Sequence, residues 1–158
     1  MHSRNILRKI VLEKGYDYFL SLEQDVIPPK DVIEKLIRHR KKIVSGVYFS
    51  RYKINGKIMY LPLLWKEKKD NKKLMRFSKP EEIEGDKLIK IKKCGLGCVL
   101  IRRDVLEKIK FRYVEEILCF DDMFFCEDVE KNGFGLYCDA SVKCKHLISG
   151  MSWKNIKK

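Results

Sequence analysis

The sequence predicts a mixed α/β layer fold built around one sheet, and three observations lead there. Segments with helical apolar spacing alternate along the chain with short apolar runs of strand character. Of the 158 residues, 45% are hydrophobic, enough to bury the core of one domain. Gly, Pro and Asn-Gly punctuate the segment ends, with no repeat and no low-complexity linker, so residues 1–158 read as a single domain.

Taken in order, residues 5–14 carry Ile6, Leu7, Ile10 and Val11 at helical spacing, and Gly15 stands where a helix ends. Residues 16–22 form an apolar run expected as a buried strand, which passes into Glu23-Gln24-Asp25 and is stopped by Pro28-Pro29. A second helix is expected over residues 30–40, with Val32, Ile33, Leu36 and Ile37 on its inner face, and a strand over residues 43–50. Asn55-Gly56 predicts a tight hairpin between 52–54 and 58–60. The run Lys66 to Lys73 has no apolar face and reads as a solvated loop. Strands are expected at 88–91 and 99–101 around Cys94-Gly95-Leu96-Gly97-Cys98, and a short helix at 104–109. A longer helix at 122–132 closes on Gly133, and a strand at 134–138 leads toward His146.

Composition narrows the function classes. No apolar run approaches eighteen residues, which argues against a membrane-spanning helix, and Arg4, Arg8, Lys9 and Glu13 interrupt the start, which argues against a signal peptide. Lys and Arg number 35 against 22 Asp and Glu, a formal charge of +13 that favours anionic partners: phosphates, nucleic acid or an acidic membrane surface. A chain with this much apolar content does not need its six cysteines as a disulfide scaffold. The expected compartment is the cytoplasm, with peripheral contact to an anionic membrane as an option and the thiol state open.

Four places can carry chemistry. Glu23 and Asp25 follow an apolar strand, at the edge where open α/β sheets bind ligands, and offer the oxygen ligands that Mg²⁺ or Mn²⁺ prefers; the plainer reading is an acidic turn. Glu127 and Asp128 lie in the helix at 122–132, where Met123, Phe124, Phe125 and Val129 form an apolar face; a carboxylate at its edge could be tuned toward a general base, or merely be solvated. His146 is a ligand or a structural histidine. Gly95 and Gly97 permit close backbone approach or a plain tight connection. Cys94, Cys98, Cys138, Cys144 and His146 could be assembled into a zinc site only without the usual paired short spacings.

In this order the segments resemble the GT-A fold of family 2-like glycosyltransferases. Residues 16–26 look like that family's strand entering its Asp-x-Asp motif. Cys94-Gly95-Leu96-Gly97-Cys98 is similar to its glycine-containing acceptor-side segment. Phe125-Cys126-Glu127-Asp128 resembles its Glu-Asp motif. The resemblance implies a mixed central sheet with helices on both faces and a metal-dependent inverting transfer of sugar from a nucleotide-diphosphate donor to an acceptor hydroxyl. It implies Mn²⁺ or Mg²⁺ held by Asp25 and His146, and donor contacts from Glu23, Asp25 and Arg4. Acceptor-side backbone would come from Gly95 and Gly97, and the catalytic base would be Asp128 with Glu127 beside it. The acceptor is a glycan, lipid or protein. Glu23 stands where the family has Asp, and the family's first strand and helix have no counterpart before Ile6, so the chain reads either as a fragment or truncated form or as one whose donor site is completed some other way.

Two other readings stay open: a domain of this fold serving as a binding module without catalysis, and a basic nucleic-acid-binding protein. For the latter, Tyr48, Phe49, Tyr52 and Tyr60 lie near Arg51 and Lys53 and could stack bases. No helix-turn-helix or zinc-finger signature supports it.

Overall fold

The computed structural model describes residues 2–71, 74–113 and 121–147. Its elements are α1 (His2–Lys14), β1 (Tyr18–Leu22), β2 (Val26–Ile27), α2 (Val32–Ile37), β3 (Ile43–Val47), β4 (Phe49–Ile54), β5 (Lys57–Pro62) and β6 (Leu64–Glu67). There follow β7 (Met75–Phe77), β8 (Leu88–Ile91), β9 (Lys93–Cys94), β10 (Cys98–Arg102), α3 (Arg103–Lys108), α4 (Asp121–Lys131), β11 (Leu136–Lys143) and β12 (Lys145–His146).

The central sheet runs β1-β10-β3-β11-β8 and is mixed: β3 and β11 are parallel, and the other three pairings are antiparallel. Strand period decides what each face buries. Phe19, Ile101, Ile43, Cys138 and Ile89 point to one side, where Val11 of α1, Val105 and Leu106 of α3, and Phe125 and Val129 of α4 complete a core. Leu100, Val44 and Cys98 point to the other, against Val32 and Leu36 of α2. Helices therefore cover both faces, as the sequence led one to expect.

One irregularity matters for the site. The β11–β3 register shifts between Cys138 and Lys143. Leu136, Cys138 and Ala140 belong to the first core, whereas Val142 belongs to the second. An irregularity of this kind re-aims the rest of a strand, and the chain beyond it reaches β12, which pairs antiparallel with β2 so that His146 lies opposite Val26.

Four sequence expectations change. The helix expected over 30–40 is Val32–Ile37, and of its expected inner face Val32 and Leu36 are buried whereas Ile33 and Ile37 are exposed. The strand expected at 43–50 breaks at Tyr48, which is buried between β3 and β4. The strand expected at 134–138 instead spans Leu136–Lys143: β8 pairs with its first half, Leu136–Asp139, and β3 pairs with it again at Lys143. The charge run at 66–73 is not all loop. Lys66 and Glu67 lie in β6 and pair with Glu82 and Lys92 at 3.2 and 2.8 Å, and its last two residues, 72 and 73, fall outside the described residues. The Asn55-Gly56 hairpin forms as expected, both residues at positive φ (50° and 77°), the combination a two-residue turn needs to match the twist of β4 and β5.

Candidate functional site

The end of β1 and the first turns of α1 enclose a pocket of about 550 Å³, lined by Ser3, Arg4, Leu7 and residues 19–25. Arg4 spans its wall. Its guanidinium meets Glu23 Oε1 at 2.5 Å and Asp121 Oδ2 at 2.6 Å, and its Nε reaches Ser21 Oγ at 3.4 Å. Ser21 is buried because strand alternation turns it toward the helices with Phe19, and its hydroxyl donates to the Leu96 carbonyl at 2.7 Å. A buried hydroxyl so satisfied costs little.

Behind the pocket lies a frame built on Tyr48. The Gly97 N–H donates to Tyr48 Oη at 2.9 Å, and the Glu23 N–H donates to the Gly97 carbonyl at 3.1 Å. The two glycines expected on the acceptor side are buried against this ring. A Cβ on Gly95 would stand 2.1 Å from Tyr48 Oη, and one on Gly97 2.8 Å from it. Burial pushes the Tyr48 phenol well above its ordinary value, so it stays protonated. Its ring also meets His146 edge to face, with centroids 5.4 Å apart.

His146 and Asp25 come together although 121 residues separate them. His146 Nδ1 lies 2.8 Å from the Phe49 carbonyl oxygen, and Nε2 lies 3.3 Å from Asp25 Oδ2. A carbonyl only accepts, so Nδ1 carries the proton and a neutral ring turns its Nε2 lone pair toward the carboxylate. Two acceptors then face each other, an arrangement satisfied by a second ring proton or by a cation between them. A histidine whose far nitrogen donates to a backbone carbonyl is also the usual form of a metal-ligating imidazole. Asp25 remains about half exposed and His146 mostly covered, with side-chain accessibilities of 47% and 16%.

The carboxylates of α4 divide. Asp128 receives Arg112 on both oxygens, at 2.7 and 3.0 Å, and Glu127 faces Lys93 and Arg112 at 3.5 and 3.7 Å. Asp122, one turn and a half earlier, is the carboxylate within electrostatic reach of Asp121, Glu23 and Arg4. Burial, opposed by a 2.7 Å bond from the Met123 N–H and reinforced by Asp121 and Glu23, lifts its carboxyl to about 6. Sequence reasoning passed over Asp122; the available signal was its place just before the apolar run Met123-Phe124-Phe125, which pins the helix start to the core. Arg4, Glu23, Asp25 and His146 are thus brought to one end of the sheet. Glu127 and Asp128 sit further along α4, in pairs with basic residues.

Among the described residues no three His, Cys, Asp or Glu side chains gather as a group that could hold a metal ion. The cysteines pair off in different places instead. Cys126 Sγ contacts the backbone of Cys94 at 3.4 and 3.5 Å, and Cys98 meets Cys144 on the other side of the sheet. No helix among the described residues is long and apolar enough to cross a membrane.

No family model and no curated protein matches this sequence. The crystal structure of A197 from STIV is similar to it, with a TM-score of 0.58 and 24% identity, covering 92% of this chain and 66% of that one. What the two share is a fold. The finding corrects the resemblance drawn from the sequence: the motifs at Glu23–Asp25, Gly95–Gly97 and Glu127–Asp128 do not make this chain a member of the family 2-like glycosyltransferases. Each is two or three residues long, and short motifs in order can follow from a common layout of strands and helices. The α/β fold with a mixed central sheet and helices on both of its faces stands. The chain spans just under two thirds of the A197 chain.

Proposed function

We propose that the chain is a metal-dependent sugar transferase that moves a glycosyl group from a nucleotide-diphosphate donor to an acceptor hydroxyl with inversion. The observation that carries this reading is the Asp25–His146 pair at 3.3 Å, its imidazole held by the Phe49 carbonyl so that Nε2 is directed at a half-exposed carboxylate. One carboxylate oxygen and one imidazole nitrogen suit Mn²⁺ or Mg²⁺, which keep waters and phosphate oxygens for the rest of their shells. When bound, the ion would neutralise charge on the departing diphosphate. The pocket of about 550 Å³ is of the size that small-molecule sites have.

Within this reading the chain's own groups divide the work. Arg4 holds Glu23 and Asp121 in place and keeps the wall of the pocket from being purely acidic. Asp122 takes the proton of the acceptor hydroxyl, whose oxygen attacks the anomeric carbon as the bond to the diphosphate oxygen breaks. A carboxyl near 6 is poised for that role close to neutral pH. Asp128, the base that the sequence resemblance implied, is a weaker choice while Arg112 occupies both of its oxygens.

The test is transfer or donor hydrolysis from UDP-, GDP- and dTDP-sugars, with turnover followed from pH 5 to 8 in wild type, Asp122→Asn, Asp128→Asn and Glu127→Gln. Loss of turnover in Asp122→Asn, with an acid limb near pH 6 in wild type, supports the assignment. Full activity in Asp122→Asn with loss in Asp128→Asn returns the base to the position implied by the sequence. Activity with no donor removes the transferase reading and favours a binding module of the same fold.

A further inference from the structure

The β4–β5 ribbon pairs with no other strand among the described residues and is largely exposed, and its two faces differ. In an antiparallel pair directly opposed residues share a face. Ser50, Tyr52 and Ile54 thus lie with Leu61, Met59 and Lys57, and the middle of this face is seated by Tyr52 against the Phe77 ring, centroids 5.1 Å apart. Arg51 and Lys53 lie with Tyr60 and Ile58 on the opposite face, and all four are exposed. Toward the turn the apolar residues are exposed on both faces: Ile54, Ile58 and Met59, with Ile58 at 60%. The ribbon carries Arg51, Lys53 and Lys57 and no acidic residue between Phe49 and Pro62.

From this arrangement we infer that the ribbon is a membrane-docking finger that inserts its turn into an anionic bilayer surface. The inference is independent of the transferase reading. Its depth ordering fits such a surface. At about 3.3 Å per residue, Ile58 stands roughly 7 Å from the turn at Gly56 and Tyr60 roughly 13 Å. Burial of the turn by about 5–10 Å, as for interfacial segments, takes Ile54 and Ile58 below the headgroup surface and leaves Met59 at its edge. Tyr60 and Arg51, paired across the ribbon, then stand at headgroup level, where aromatic and basic residues concentrate. Lys53 and Lys57 have stems long enough to return their ammonium groups to the phosphates. A nucleic-acid platform would want aromatic rings at the exposed tip for stacking. Here the Asn55-Gly56 turn is flanked by exposed Ile54, Ile58 and Met59 and carries no ring. The root of the ribbon is tied to the site, since the Phe49 carbonyl is the atom that fixes His146.

The experiment is co-sedimentation of the full chain with vesicles of phosphatidylcholine alone and with 30% phosphatidylglycerol, at low and high salt. Wild type, Ile58→Ser/Met59→Ser and Lys53→Gln/Lys57→Gln are compared; all four positions are exposed, and circular dichroism checks the fold. Wild type should bind the anionic vesicles and release with salt. The lysine variant should bind about 25-fold more weakly, at about fivefold per basic residue, and the apolar variant at least tenfold more weakly. Binding unchanged in the apolar variant overturns insertion. Absence of vesicle binding overturns the proposal, as does binding to single-stranded oligonucleotide alone or a dimer abolished by the same substitutions.

Discussion

Replacing Asp122 by asparagine should stabilise the protein at neutral pH and do little in acid. The folded carboxyl titrates at about 6, above its ordinary value of 3.8. Between these values the folded state holds a proton that the unfolded chain has released, so stability falls as pH rises through that window and the whole cost is present at pH 7. Each pH unit of the gap corresponds to about 1.4 kcal/mol, which sets an upper limit of about 3 kcal/mol; water at the pocket mouth brings the expected gain to about 1–3 kcal/mol. Asparagine keeps the oxygen that accepts the Met123 N–H and removes the charge. Urea unfolding at pH 4.5 and 7.5 reads the effect directly, and a thermal melt should show roughly 2–4 °C per kcal/mol for a domain of this size. A variant less stable than wild type at pH 7.5, or one with the same difference at both pH values, would refute the claim that burial raises this carboxyl above its ordinary value.

Other consequences follow from the same frame. Arg4→Ala removes a cation from beside Glu23, Asp121 and Asp122, and should cost about 1–2 kcal/mol at pH 7.5, Glu23 being partly solvated. That cost should shrink at pH 5 as Asp122 protonates; a cost that does not change with pH would show that Arg4 acts through packing alone. Gly95→Ala should destabilise by about 1–3 kcal/mol, since its Cβ would fall 2.1 Å from Tyr48 Oη. In a Tyr48→Phe background the penalty should be smaller, and a double-mutant cycle that shows no coupling would contradict the contact.

Much of the fold was legible because its signals are local. The period-3.6 spacing of Ile6, Leu7, Ile10 and Val11 gave α1, and Asn55-Gly56 gave the hairpin with both residues in the conformation its turn requires. The break at Tyr48 was not legible, because that residue leaves the strand to fill the space left by Gly95 and Gly97, nearly fifty residues away. The site divided in the same way. Glu23 and Asp25 announce themselves at the end of an apolar strand, whereas Asp25 and His146 were expected together only through the family resemblance, since the long-range β12–β2 pairing is what joins them. Asp122 was missed because its difference from Asp128 lies in neighbours: burial beside Asp121 and Glu23 for one, Arg112 for the other.

The central claim, that Asp25 and His146 hold a cation for a diphosphate, is met most directly by calorimetric titration of UDP, GDP and dTDP, with Mn²⁺ and with EDTA, into wild type, Asp25→Ala and His146→Ala. At least one nucleoside diphosphate should bind wild type in Mn²⁺. EDTA and Asp25→Ala should each weaken that binding at least tenfold, and His146→Ala should weaken it or change the preferred metal. Binding that survives EDTA unchanged, or an Asp25→Ala protein as tight as wild type, would contradict the account.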